Sequence, residues 1–166
     1  MNAGGDAWGG FMFTERGIRL MDKLELMNIV ERILDNAKAA VLATCDAEGR
    51  PHMRWMIPAI VPGRPGAMFA LTSPRFIKVA EIAAHPEAEW LIQSRTLDEV
   101  VNLRGRINVV DNPSLKAEIL ETIGHRLSTF WKICEDDMDF VVLETVIEGA
   151  VYYLPTRCKR EVIPFD

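Results

Sequence analysis

Apolar positions change rhythm several times along the chain. Leu24, Met27, Ile29, Val30, Ile33 and Leu34 recur at helical spacing. Asp22 stands three residues ahead of Glu25 as a capping box, and Asn36 offers a stop. The period then shortens. AAVLAT (39–44) is an apolar run suited to a buried strand, and DAEGR (46–50) is a turn. PHMRWMIPAI (51–60) alternates, with His52, Arg54 and Met56 on one face and Met53, Trp55 and Ile57 on the other. VPGRPG (61–66) is a second turn and AMFAL (67–71) a third strand. Connections this short require antiparallel pairing.

A helix is predicted over 74–84, with Ser73 as its N-cap and Pro74 as its first residue. AEWLIQ (88–93) and VVNLRGRINVV (100–110) follow as strands, and Gly105 suits a sharply curved one. Asp111-Asn112-Pro113 opens another helical stretch, which Gly124 is expected to break or kink. Residues 139–147 and 149–155 close the chain as one strand or a pair. Residues 1–20, with Trp8, Phe11 and Phe13 among glycines, show no period and read as an N-terminal arm ahead of a single domain over 21–166. The pattern is that of a mainly β domain of six or seven strands with flanking helices, and a closed or split barrel would manage its edges.

Composition narrows the functions. Hydrophobic residues make up 49% and charged residues 26% of the chain, a balance that supports a packed core rather than disorder. The formal charge of -5 disfavours nucleic acid or an anionic membrane as the main partner. Cys45, Cys134 and Cys158 are scattered without a CxxC pair, and no His–Cys spacing suggests a metal. No signal-peptide pattern or membrane-length apolar run is present, so a cytoplasmic location is expected.

One stretch, LTSPRFIKVAEI (71–82), carries candidate chemistry. Arg75 and Lys78 place two cations at a predicted helix N-terminus, where the dipole favours anions. With the Thr72 and Ser73 hydroxyls and the free amides they would form a phosphate site. The alternative is that both cations face water. Arg54 adds weight to the first reading, because it lies mid-strand among apolar residues and its planar fork suits phosphate oxygens.

The blocks ATCDAEGRPHMRWM, FALTSPRFIKVAEIAAHPEAEWLI and VNLRGRINVVDNP, in that order and spacing, resemble the pyridoxamine 5′-phosphate oxidase-like split-barrel superfamily, and most of all its general stress protein branch. The resemblance implies a six-stranded antiparallel split β-barrel with peripheral helices. It also implies a homodimer with FMN at the subunit interface. By resemblance, Arg54, Thr72 and Lys78 contact the flavin phosphate, Trp55, Met56 and Ile57 run along its ring, and Leu71 ends the preceding strand. Ser73 and Arg75 are added from the residues themselves. Trp131 falls where relatives present an aromatic across the dimer; the other reading is a packed tryptophan.

Departures are visible. Ile77 precedes Lys78 where many members have arginine, and Val100 stands where many have a glutamine near the ring. The tail RCKREVIPFD lacks the spacing by which true pyridoxamine phosphate oxidases hold substrate. The expected function is therefore FMN-dependent oxidoreduction with an unidentified small-molecule donor or acceptor. The alternative is a non-catalytic module for flavin, deazaflavin or haem.

Overall fold

A computed structural model describes residues 21–130 and 139–165, with the backbone alone described for 125–130. Helix α1 spans Lys23–Ala37. Its N-terminus is capped as the sequence predicts, the Glu25 amide donating to the Asp22 carboxylate at 2.9 Å. It ends one residue past the predicted stop, with Lys38 in the left-handed region at φ 68°. Leu26, Val30 and Ile33 lie fully inside, each contributing about 1.5–3 kcal/mol by leaving water.

The strands are β1 (Ala40–Cys45), β2 (Pro51–Met56), β3 (Pro58–Ala59), β4 (Ala67–Thr72), β5 (Glu87–Gln93), β6 (Val100–Val110), β7 (Val141–Leu154) and β8 (Lys159–Pro164). Helices α2 (Ile77–Ala84) and α3 (Pro113–Phe130) fall between them. The sheet runs β2-β1-β5-β6-β7-β4-β3, with β8 added to β7. Every pairing is antiparallel. Strands β2 and β3 sit at opposite ends of that order, yet only Ile57 separates them in sequence. One segment therefore leaves one end of the sheet and joins the other, which gives a split barrel.

The described residues form eight strands, against the six or seven that the pattern suggests. The interruption at Ile57 turns the predicted 51–60 strand into two, because its second part pairs with β4 instead of β1. The C-terminal residues add β8, whose ladder with β7 runs from Gly149–Pro164 to Leu154–Lys159. Residues 141–154 form one continuous strand, so the open choice between one strand and two resolves to one. Gly124 neither ends nor breaks α3, which runs on to Phe130; a lone helical glycine costs only about 1 kcal/mol.

The barrel interior is filled by Leu42, Met68, Trp90, Leu103 and Leu143 beneath α1. The buried Trp90 indole donates to the Thr145 hydroxyl at 2.9 Å. A second core lies under α3, where Leu115, Ile119 and Ile123 meet Phe69, Leu71 and Val142. Gly105 sits where β6 and β7 lose register. A Cβ there would lie 2.1 Å from the Val146 carbonyl oxygen, so the close approach of the two backbones demands glycine.

The outward face of the sheet carries one mostly apolar row. Trp55, Val41, Leu91, Asn102, Val151 and Val162 pair in one row across six strands. Trp55 is 65% exposed and its neighbour Met53 76%. Among the described residues, no helix is long and apolar enough to cross a membrane.

Candidate functional site

The predicted helix N-terminus begins later than the sequence suggests. Ser73 is not an N-cap, and Pro74 is not helical. Residues 73–76 form a turn instead, the Phe76 amide donating to the Ser73 carbonyl at 3.2 Å. The Ser73 hydroxyl accepts from the Arg75 amide at 3.4 Å, within the turn. Helix α2 starts at Ile77, with Phe76 at the N-cap and no side-chain cap. Arg75 is thus an exposed turn residue outside the helix. The predicted conflict of two cations with the dipole reduces to Lys78 alone, the second helical residue.

Lys78 is only part-exposed. Its Nζ donates to the buried Thr72 hydroxyl at 3.1 Å and lies 4.3 Å from the centre of the Phe76 ring. Among the described residues, no carboxylate is recorded within ion-pair distance of it. Burial, followed by the charge of Arg54, pulls the ammonium down to about 8, while Glu81 acts to raise it. The corner therefore holds a half-desolvated cation whose partners are a neutral hydroxyl and an aromatic ring.

Arg54 reaches the same corner from the inner face of β2, the face it shares with His52 and Met56. Its guanidinium is engaged: Nη2 donates to Glu81 Oε2 at 2.8 Å, and Nη1 donates to the Thr44 hydroxyl. Thr44 in turn donates to Glu81 Oε2 at 2.5 Å, and His52 Nδ1 hydrogen-bonds Glu81 Oε1. Glu81 is 3% exposed. Burial pushes its carboxyl up, but the bonds from Thr44 and His52 and the charge and bonds of Arg54 outweigh burial and hold it below the ordinary value. Buried carboxylates persist only when satisfied in this way. Glu81 thus fastens α2 to β1 and β2 through polar groups.

The structure brings Arg54, Thr72 and Lys78 together, with Ser73 and Arg75 in the adjoining turn. The other candidates spread outward. Met56 packs part-buried against the barrel core. Ile57 and Leu71 belong to the core under α3. Trp55 faces outward. Trp131 lies outside the described residues. Among the described residues, strand β2 pairs only with β1, so its other edge offers backbone groups to a ligand.

Glu81 and Thr44 were absent from the sequence reading. The signal was present for Glu81: it is flanked by Val79, Ala80, Ile82 and Ala83, so an acid sits within the apolar run of a short helix. A separate cavity of about 390 Å³ opens over β5–β8, lined by Glu89, Arg104, Glu148, Arg160 and Val162 among others. It shares no residue with the Lys78 corner.

A sequence profile described as pyridoxamine 5′-phosphate oxidase matches residues 28–152. The chain belongs to the pyridoxamine 5′-phosphate oxidase family. The match runs from α1 to β7 and so takes in the whole Arg54–Thr72–Lys78 corner. Solved structures share the fold. A Clostridium acetobutylicum protein related to general stress protein 26 of B. subtilis (pyridoxinephosphate oxidase family) is 19% identical, with TM-score 0.66, covering 88% of this chain and 98% of that one. A pyridoxamine 5′-phosphate oxidase-related, FMN binding protein from Nostoc punctiforme is 13% identical, with TM-score 0.59, covering 84% and 95%. A heme binding protein from Mycobacterium smegmatis is 17% identical, with TM-score 0.66, covering 89% and 59%. No curated protein sequence matches the chain.

Ile77, at the position where an arginine was expected, is 71% exposed at the start of α2. Val100 is part-buried at the start of β6, paired with Tyr153.

Proposed function

We propose that the protein binds FMN and serves as a flavin-dependent oxidoreductase for a small molecule. The observation that carries this reading is Lys78: a half-buried ammonium beside a second cation, bonded to a neutral hydroxyl, has the character of an anion site. A phosphate ester would supply the missing counter-charge. Arg54 and Lys78 would hold it by charge and Thr72 by its hydroxyl. The free edge of β2 at Trp55 and Met56, with Ile57 just beyond it, would present backbone groups to the ring. The flavin, when bound, supplies the hydride or electron chemistry, and this chain supplies orientation and local charge.

The family match supports this reading, as does the FMN-binding relative from Nostoc punctiforme. We also propose a homodimer formed through the outward apolar face, because Met53, Trp55 and Val162 otherwise leave large apolar side chains in water. A partner there would bring a second subunit against the outer side of β2.

A second reading, a non-catalytic binder of flavin, deazaflavin or haem, is favoured by Ile77 and Val100, which remove two polar contacts to a flavin. The absorbance spectrum of the protein purified without added cofactor, followed by titration with FMN and with haemin, separates the ligands. Anaerobic addition of NADH or NADPH then tests turnover. Bound flavin that bleaches supports the oxidoreductase, whereas flavin that no small donor reduces selects the passive binder.

A further inference from the structure

The charges of the corner do not sum as a plain phosphate site would. Arg54 and Lys78 bring two positive charges. Glu81, almost wholly buried, brings one negative charge and is bonded directly to Arg54. His52 also faces Glu81, and on its far side its Nε2 lies 3.8 Å from the Asp46 carboxylate. Two of the five Arg54 donors are already spent on Glu81 and Thr44.

We propose that Glu81 sets the charge selectivity of the corner: its carboxylate cancels one of the two cations, so an anionic head with a single negative charge is held nearly as well as a doubly charged phosphate monoester. This role rests on the FMN reading above, and it widens the ligand class to phosphodiester, sulfate and carboxylate heads. The physical basis is that the carboxylate lowers the positive potential set up by the two cations, and the gain from each added ligand charge scales with that potential. Adding the second charge to the head therefore gains attraction from the cations but loses much of it to Glu81. Glu81 is not itself a ligand-contacting group. It acts through Arg54, which it holds in place, and through the local potential.

The test compares riboflavin, riboflavin 5′-sulfate and FMN by fluorescence titration at pH 7, on wild-type protein and on Glu81→Gln. For the wild type, FMN is expected to bind more tightly than riboflavin, and the sulfate within about tenfold of FMN. Glu81→Gln keeps the side-chain shape and removes the charge. It is expected to tighten FMN roughly tenfold, leave riboflavin unchanged, and widen the preference for FMN over the sulfate. A merely structural role for Glu81 would weaken all three ligands together. FMN affinity that is unchanged or weaker in a Glu81→Gln protein of near wild-type melting temperature would overturn the proposal.

Should Glu81→Gln fail to fold, the wild-type ratio alone decides: a preference for FMN over the sulfate within about tenfold upholds it and a larger one overturns it. A different failure would be a wild type that binds FMN no more tightly than riboflavin. That result removes the phosphate corner itself, and the role of Glu81 falls with it.

Discussion

Arg54 Nη2 lies 2.8 Å from Glu81 Oε2, joining the middle of β2 to the inner side of α2. The pair is enclosed: the Arg54 side chain is 18% exposed and that of Glu81 2%. Removing one member leaves the other charge with fewer partners in a low-dielectric place. Arg54→Ala is therefore expected to destabilise the fold by about 3 kcal/mol, less than a fully orphaned charge because Thr44 and His52 remain. Urea denaturation measures it. The Glu81 carboxyl is held below its ordinary value of 4.5. Its stabilising contribution is thus complete above 4.5 and lost as pH falls through the folded-state value, so the cost of Arg54→Ala shrinks in acid.

Lys78 acts in the same sense at the other end of the pH range. Its ammonium falls from 10.5 to about 8 in the fold. Between those values the unfolded chain binds more protons than the folded one, so the stability of the ligand-free protein rises with pH across that window. Anion binding needs the ammonium, so FMN affinity declines as pH passes about 8. Lys78→Met is expected to flatten both profiles and to weaken FMN by about 1.5–3 kcal/mol. Thermal melts and titrations from pH 6 to 10 report the two effects separately.

The outward face should govern assembly. Trp55→Glu or Val162→Glu is expected to yield a monomer in analytical ultracentrifugation. Stability should change by less than about 1 kcal/mol within the subunit, because both side chains are largely exposed there. A wild-type protein that sediments as a monomer at micromolar concentration would refute the dimer.

Gly105 is the least replaceable backbone position. An alanine Cβ would overlap the Val146 carbonyl at 2.1 Å, and both groups are main chain, so neither can swing aside. Gly105→Ala is expected to cost about 3 kcal/mol or more, read as a lowered melting temperature.

Local pattern was enough for much of the fold. The Asp22 cap and the alternation of β2 follow from neighbours in sequence, whereas the need for glycine at Gly105 comes from Val146 across the β6–β7 ladder. The misreadings share a cause. Ser73-Pro74 carries a strong helix-start signal, but the chain spends those residues turning from β4 before α2 can begin. Residues 159–164 show too little alternation to stand out, and become a strand only because β7 offers them an edge.

The site divides the same way. Arg54, Thr72 and Lys78 could be singled out by residue type and position. Glu81 could not be placed without knowing that α2 lies across β1 and β2, since its three hydrogen bonds with Thr44, His52 and Arg54, together with the Arg54–Thr44 bond, join residues up to 37 positions apart.

Strand β7 pairs with β6 along most of its fourteen residues, with β4 over its first half and with β8 over its second. Apart from the two-residue β3, it is the only strand among the described residues that β4 pairs with. During synthesis, β4 must therefore wait until some seventy further residues have left the ribosome before its main edge is covered. Nascent chains halted before Val141 should hold α1, β1, β2, β5 and β6 with the edge of β4 that β7 covers still unpaired, which makes that interval the one in which a chaperone would be needed most.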